Sequence, residues 1–129
     1  PEEALANLDG ISVTKLWENA SPTSVFAEQT INVQCKGYDK ILFECAYSKS
    51  DLSYEENFVV GAKKKTILRE FSNASYTNTT YYARRIETAE TSITIKDCYK
   101  KKSVGDSTAG TVDNVYLIPQ KIYGVKGVS

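Results

Sequence analysis

Catalysis by this 129-residue chain would have to be built from carboxylates, lysines, cysteines and tyrosines, because it contains no histidine. Without an imidazole, the usual general base and the commonest zinc ligand are both missing. Ser-His-Asp and Cys-His mechanisms within one chain are thereby excluded. Carboxylates pair up at Glu55-Glu56 and at Glu87 with Glu90. Two carboxyl groups cleave a glycoside only when held across a cleft at a set separation, and nothing in this spacing provides one. Asp51, Glu55 and Glu56 lack the glycine and terminal glutamate of a calcium loop. The cysteines, Cys35, Cys45 and Cys98, form no C-x-x-C pair. Their odd count and wide spacing favour free buried thiols, in a reducing compartment, over one bridge plus an orphan. The expectation is no catalytic residue, no metal and no cofactor: a domain that binds or assembles rather than an enzyme.

The residues suited to binding are amphipathic rings beside short polar side chains. Nine tyrosines and one tryptophan stand in the chain. Tyr76 lies in the polar run Ser72-Asn73-Ala74-Ser75-Tyr76-Thr77-Asn78-Thr79. A ring there can stack on the apolar face of a sugar while neighbouring amides and hydroxyls bond the sugar's hydroxyl groups. The candidate ligand-binding set is Asn73, Tyr76, Asn78 and Tyr81; in the alternative, Tyr76 only caps the fold. Tyr81 and Tyr82, adjacent on a strand-like run, divide between core and surface. Lys63-Lys64-Lys65 and Lys100-Lys101-Lys102 fall in turns, where solvated loops that blunt sheet edges are favoured over an anion site. Asn19-Ala20-Ser21, Asn73-Ala74-Ser75 and Asn78-Thr79-Thr80 match the N-glycosylation pattern, which is short enough to recur by chance in Asn- and Ser-rich loops.

The elements that must position these residues follow from patterning. Sixteen basic and sixteen acidic side chains cancel, so the lysine and arginine surplus of a nucleic-acid binder is absent. No run approaches the roughly 18 apolar residues of a membrane helix, so membrane insertion is not expected. No signal peptide is visible, and a start at Pro1 without Met reads as a processed start or, in preference, as a piece of a longer protein. Residues 1–10 carry proline and acids first, Leu5 and Leu8 three apart, then Gly10, which predicts a short helical or linker segment. Residues 11–129 then form one β domain. Ile11–Glu18 is β-rich. In 30–36, Ile31, Val33 and Cys35 share one face, and in 40–47 so do Ile41, Phe43, Cys45 and Tyr47. With Gly37-Tyr38-Asp39 as a turn, these two runs suit a hairpin. Further strands are expected over 57–60, 66–71, 80–88, 92–96 and 114–123, with Pro119 placing the last at an edge or on a bulge. About eight short strands between turn signals predict an all-β fold, an antiparallel β-sandwich or jelly roll. Its predicted core includes Ile31, Val33, Ile41, Phe43, Ile93, Ile95 and Leu117.

Three stretches carry a family resemblance. Glu3-Ala4-Leu5-Ala6-Asn7-Leu8-Asp9-Gly10 resembles the short Ala-Leu-x-Asn-Leu-Gly elements that precede globular tips in tail fibres of tailed bacteriophages, with Asp9 inserted before the glycine. Leu16 to Phe26 (Leu-Trp-Glu-Asn-Ala-Ser-Pro-Thr-Ser-Val-Phe) and Tyr116 to Gly127 (Tyr-Leu-Ile-Pro-Gln-Lys-Ile-Tyr-Gly-Val-Lys-Gly) resemble the opening and ending of small proteins among phage and prophage tail genes of gut Gram-positive bacteria. With the strands between them the similarity spans 11–128. The resemblance implies a trimeric β-rich tip domain of a tail fibre or baseplate. It would be located in the virion tail, assembled in the bacterial cytoplasm, and would bind other tail proteins and a host-surface receptor. A polysaccharide is the expected receptor, and a charge-balanced surface rich in Tyr and Asn suits a neutral one. The alternatives are a purely structural tail or baseplate protein and a secreted glycan-binding module.

Overall fold

Ten strands occur among the described residues, most of them in the β-branched and aromatic runs. The computed structural model of the chain describes residues 3–8, 10–60, 65–72, 80–101 and 110–127, with side chains over 10–52, 82–100 and 110–127. The strands are β1 (Glu3–Leu8), β2 (Ile11–Glu18), β3 (Gln29–Ile31), β4 (Lys40–Ser48), β5 (Asp51–Val60), β6 (Lys65–Ser72), β7 (Thr80–Thr88), β8 (Ile93–Lys101), β9 (Thr111–Val112) and β10 (Tyr116–Lys126). They form two sheets, one ordered β1-β2-β10-β4-β5 and the other β3-β8-β7-β6, with β9 also paired to β8. Every pairing is antiparallel. The fold class is therefore the expected all-β one, built from two antiparallel sheets, and no helix occurs among the described residues.

The inward faces of the sheets meet in one apolar core. Ile41, Phe43 and Cys45 of β4, Ile118 and Ile122 of β10, Ile86 of β7, and Ile93, Ile95 and Cys98 of β8 are all buried in it. Of the predicted core, Val33, Ile41, Phe43, Ile93, Ile95 and Leu117 are buried, while Ile31 is half-buried against it. Each inward large side chain of this kind contributes about 1.5–3 kcal/mol relative to exposure.

Three expectations about local structure are corrected. The leading segment is not helical: Glu3–Leu8 is a strand paired to β2, with Leu8 opposite Ile11. A turn or two of helix cannot stabilise itself, whereas pairing along β2 satisfies the backbone groups on one side of Glu3–Leu8. Gly10, between the paired residues Leu8 and Ile11, has a positive φ (81°), which glycine adopts without strain.

The runs 30–36 and 40–47 do not form a hairpin. β3 ends at Ile31 and pairs with β8, while β4 lies in the other sheet between β10 and β5. Both edges of β4 are taken by longer partners, so the chain between β3 and β4 crosses from one sheet to the other. Val33 and Cys35 are still buried there. The N–H groups of Cys35 and Lys36 donate to the Glu90 carbonyl at 2.9 and 3.1 Å.

Pro119, finally, is not at an edge, because β10 is central between β2 and β4. The bulge alternative holds: the register with β4 shifts between Pro119 and Lys121. The irregularity lets a proline without an N–H sit in a central strand. Leu117 (φ 52°) lies beside it, and four consecutive residues, Leu117 to Gln120, are buried.

A buried cation ties the two sheets together. Arg84 is fully buried on β7. Its Nη1 donates to the carbonyls of Phe26 (3.0 Å) and Lys96 (2.8 Å), and its Nη2 to that of Tyr116 (3.0 Å). The Lys96 carbonyl is available because β8 carries an extra residue opposite β7 between Arg84 and Ile86. Nearby, the Asp97 carboxylate accepts from the Asn114 amide at 2.8 Å and the Glu28 N–H at 3.0 Å. The Asn114 amide first, then that N–H, holds Asp97 below the usual carboxylate range.

Candidate functional site

Strand alternation carries the inward face of the first sheet out to its end. Phe43 and Ile122 are opposite one another, as are Ile41 and Gly124 one step further along. Since alternate residues share a face, Gly124 continues the core row with no side chain to fill it. Tyr38 occupies that space. A Cβ on Gly124 would come within 2.6 Å of the Tyr38 ring, so the ring lies directly against the glycine backbone and closes this end of the core.

Beyond Tyr38 the same face opens into a groove of about 320 Å³, lined by Ser12, Thr14, Gln34, Lys36, Gly37, Tyr38 and Lys126. Its floor is a strand pair: Thr14 is opposite Gly124 and Ser12 opposite Lys126. Its wall is the crossing segment, which presents Gln34 and Lys36. The backbone around it is anchored. The Asp39 N–H donates to the Val125 carbonyl at 2.8 Å, and the Gly127 N–H donates to the Asp39 carboxylate at 2.6 Å. The bonds from Cys35 and Lys36 tie the start of the segment to Glu90, between β7 and β8, and those of Asp39 tie its end to β10, so Tyr38 is held from both sides. Lys36 and Lys126 are exposed. Among the described residues, neither has a carboxylate within ion-pairing distance.

Chemically, the groove offers one half-buried ring, two hydroxyls, an amide and two ammonium groups. Among the described residues no cluster of three or more metal-ligating side chains occurs. Cys35, Cys45 and Cys98 are buried thiols, none of them in a disulfide. Burial pushes the thiols of Cys35 and Cys98 up to about 11, which leaves little thiolate and hence little nucleophilic character.

The opposite end of the sandwich is closed by a tyrosine trio. Tyr82 and Tyr116 stack with centroids 3.7 Å apart, and Tyr47 stands edge-on at 5.3 Å from Tyr116 and 6.3 Å from Tyr82. Burial first, then a hydrogen bond with Tyr116, raises the Tyr82 phenol well above its ordinary range. Tyr82 is thus buried in the core.

Asn73, Tyr76 and Asn78 lie outside the described residues. Tyr81 is described in its backbone, where it pairs with Phe71 and Lys101. Ser72 and Thr80, which bracket the predicted binding loop in the chain, are paired beside Tyr81. Sequence reasoning missed the groove because its parts are distant in the chain: Ser12 and Lys126 meet only through the β2–β10 pairing. The one local signal was Gly37-Tyr38-Asp39, a turn with an aromatic at its centre.

With the architecture and the groove defined, the protein class is a two-sheet antiparallel β domain with a polar, aromatic-lined groove at one end. Comparison with protein-family models, with curated proteins and with solved structures finds no match for this chain.

Proposed function

We propose that this domain is a non-catalytic, receptor-binding tip domain of a bacteriophage tail fibre or baseplate, and that it recognises a host-surface polysaccharide. The observation that carries the binding reading is Tyr38, a ring fixed over Gly124 and bordered by Ser12, Thr14 and Gln34 in a groove of about 320 Å³. A preformed concave site with one aromatic surface and a few convergent polar groups is the usual form of a small-ligand site, and an amphipathic ring beside hydroxyls and an amide suits a sugar. The tail context is supported by the resemblance of 3–10, 16–26 and 116–127 to tail proteins. Three free thiols fit assembly in a reducing cytoplasm.

A homotrimer is part of the same proposal, since repeated weak sites on a polymer gain strength through avidity. β1, an edge strand of its sheet, would then provide part of the contact between copies. A bacterial glycan array tests the binding reading, with wild-type protein beside Tyr38→Leu. Leucine keeps Gly124 covered while removing the ring. The expected result is a defined set of wild-type hits lost in the variant. Absence of binding to any glycan would overturn the receptor reading and favour a purely structural tail protein. Light scattering at micromolar concentration reads the trimer, and a monomer there would refute it.

A further inference from the structure

Charge in the groove is distributed differently from charge in the chain as a whole. The net charge is zero, yet the ionisable side chains with ammonium or carboxylate groups that line the groove are Lys36 and Lys126, both basic. They approach it from two directions. Lys126 stands on the floor, opposite Ser12 in the β2–β10 ladder. Lys36 stands on the wall, its backbone N–H held by the Glu90 carbonyl. The nearest carboxylate along the chain, Asp39, is occupied by the Gly127 N–H and does not line the groove. Elsewhere on the described surface, Lys15 pairs with Glu18 at 2.9 Å and Lys96 with Glu28 at 3.6 Å.

From this arrangement, and resting on the reading of the groove as a saccharide site, we infer that its ligand is an acidic saccharide. The sugar ring lies on Tyr38, and Lys36 and Lys126 hold its anionic group. Two exposed ammonium groups flanking a ring attract an anionic polymer and offer a neutral one no matching charge. Ser12, Thr14 and Gln34 are then left to bond the sugar's hydroxyls. Charge balance over the rest of the chain argues against a nucleic acid, whose binding needs a broad basic surface. The neutral glycan expected from overall composition is thus replaced by an acidic one on the composition of the site.

The test uses full-length protein on an array bearing neutral, uronic-acid, sulfated and phosphodiester-containing bacterial glycans, which also separates the three possible anions. Binding should be confined to acidic members. It should weaken several-fold between about 0.05 and 0.5 M NaCl, as exposed ion pairs do. It should fall about tenfold in Lys36→Glu/Lys126→Glu, the combined loss expected for two exposed ion pairs turned repulsive. Lys49→Glu, at the far end of β4, serves as the control and should bind as wild type. Both groove lysines are exposed, so melting curves should coincide, which removes misfolding as an explanation. Equal binding to neutral and acidic glycans, or full binding by the double variant, would overturn the acidic ligand while leaving the polysaccharide reading intact. Absence of binding to every glycan would overturn both.

Discussion

Replacing Arg84 by methionine should weaken the fold substantially, although it removes a buried charge. Two effects oppose each other. The guanidinium is desolvated, and burial lowers its pKa. Among the described residues no carboxylate pairs with it, and its Nε has no hydrogen-bond partner. Relief of that desolvation favours the variant, as when buried ion pairs are replaced by apolar side chains. Against it stand the carbonyls of Phe26, Lys96 and Tyr116, which would all lose their donor. A buried acceptor left unmade costs about 1–3 kcal/mol. Taking the low end, three give about 3 kcal/mol, before the packing lost where the guanidinium carbon sits 5.5 Å from the Phe26 ring centroid. The carbonyls win because they belong to three different segments that cannot all shift together, and the expected net loss is about 2–3 kcal/mol. That is a large part of a typical total of about 5–15 kcal/mol. Urea unfolding followed by the fluorescence of Trp17 reads it directly. Trp17 is the single tryptophan and packs edge-on against Phe26 with centroids 6.1 Å apart. Arg84→Lys, which keeps the charge but not the fork, should lie between wild type and Arg84→Met. A methionine variant within about 0.5 kcal/mol of wild type, the range of ordinary surface substitutions, would refute the assignment of Arg84 as the tie between sheets.

Phe43→Ala should cost about 3–5 kcal/mol in the same assay, as truncation of a fully buried Phe does, with Phe43 at 0% exposure; a surface-like change would contradict its place between the sheets. Gly124→Ala puts a Cβ within 2.6 Å of the Tyr38 ring, so it should cost about 1–3 kcal/mol by overpacking and abolish groove binding; an unchanged melt and unchanged array hits would show that the ring does not depend on that glycine. Native protein should react with no thiol reagent at neutral pH and with three equivalents once unfolded in urea, and mass spectrometry of freshly purified protein should find no cystine. Because the thiols of Cys35 and Cys98 rise from 9.0 to about 11 on folding, the folded state keeps protons that the unfolded state releases. Their contribution is complete below about pH 9 and is lost as pH climbs from 9 to 11; Cys98→Ala should show a shallower loss of stability over that window, and an identical slope would contradict the burial of that thiol.

The secondary-structure class and most of the core are legible in local patterning. Period-two placement of Ile41 and Phe43, and of Ile93 and Ile95, is a local property of an extended backbone with one dry face, and it can be read without knowing which strands are neighbours. The β2 and β7 bounds, Ile11–Glu18 and 80–88, were legible for the same reason. Pairing was not legible. The expected hairpin between 30–36 and 40–47 rested on proximity in the chain, but which strand lies beside which is decided by how two whole sheets share one core, and that assigned β3 to β8 and β4 to β10. Leu5 and Leu8, three apart, fit one face of a helix and not one face of a regular strand; the pairing with β2, with a register shift between Ala4 and Ala6, overrode that local spacing. The groove belongs wholly to the tertiary structure. Thr14, Gln34, Tyr38 and Lys126 come from three separate parts of the chain, and no local pattern marks a residue whose role is to fill the space left by a glycine about ninety positions away. The same holds for Arg84, which reads in the sequence as one more charged residue on a strand. It is buried because three carbonyls from distant segments converge on it, and convergence is something only the folded chain possesses.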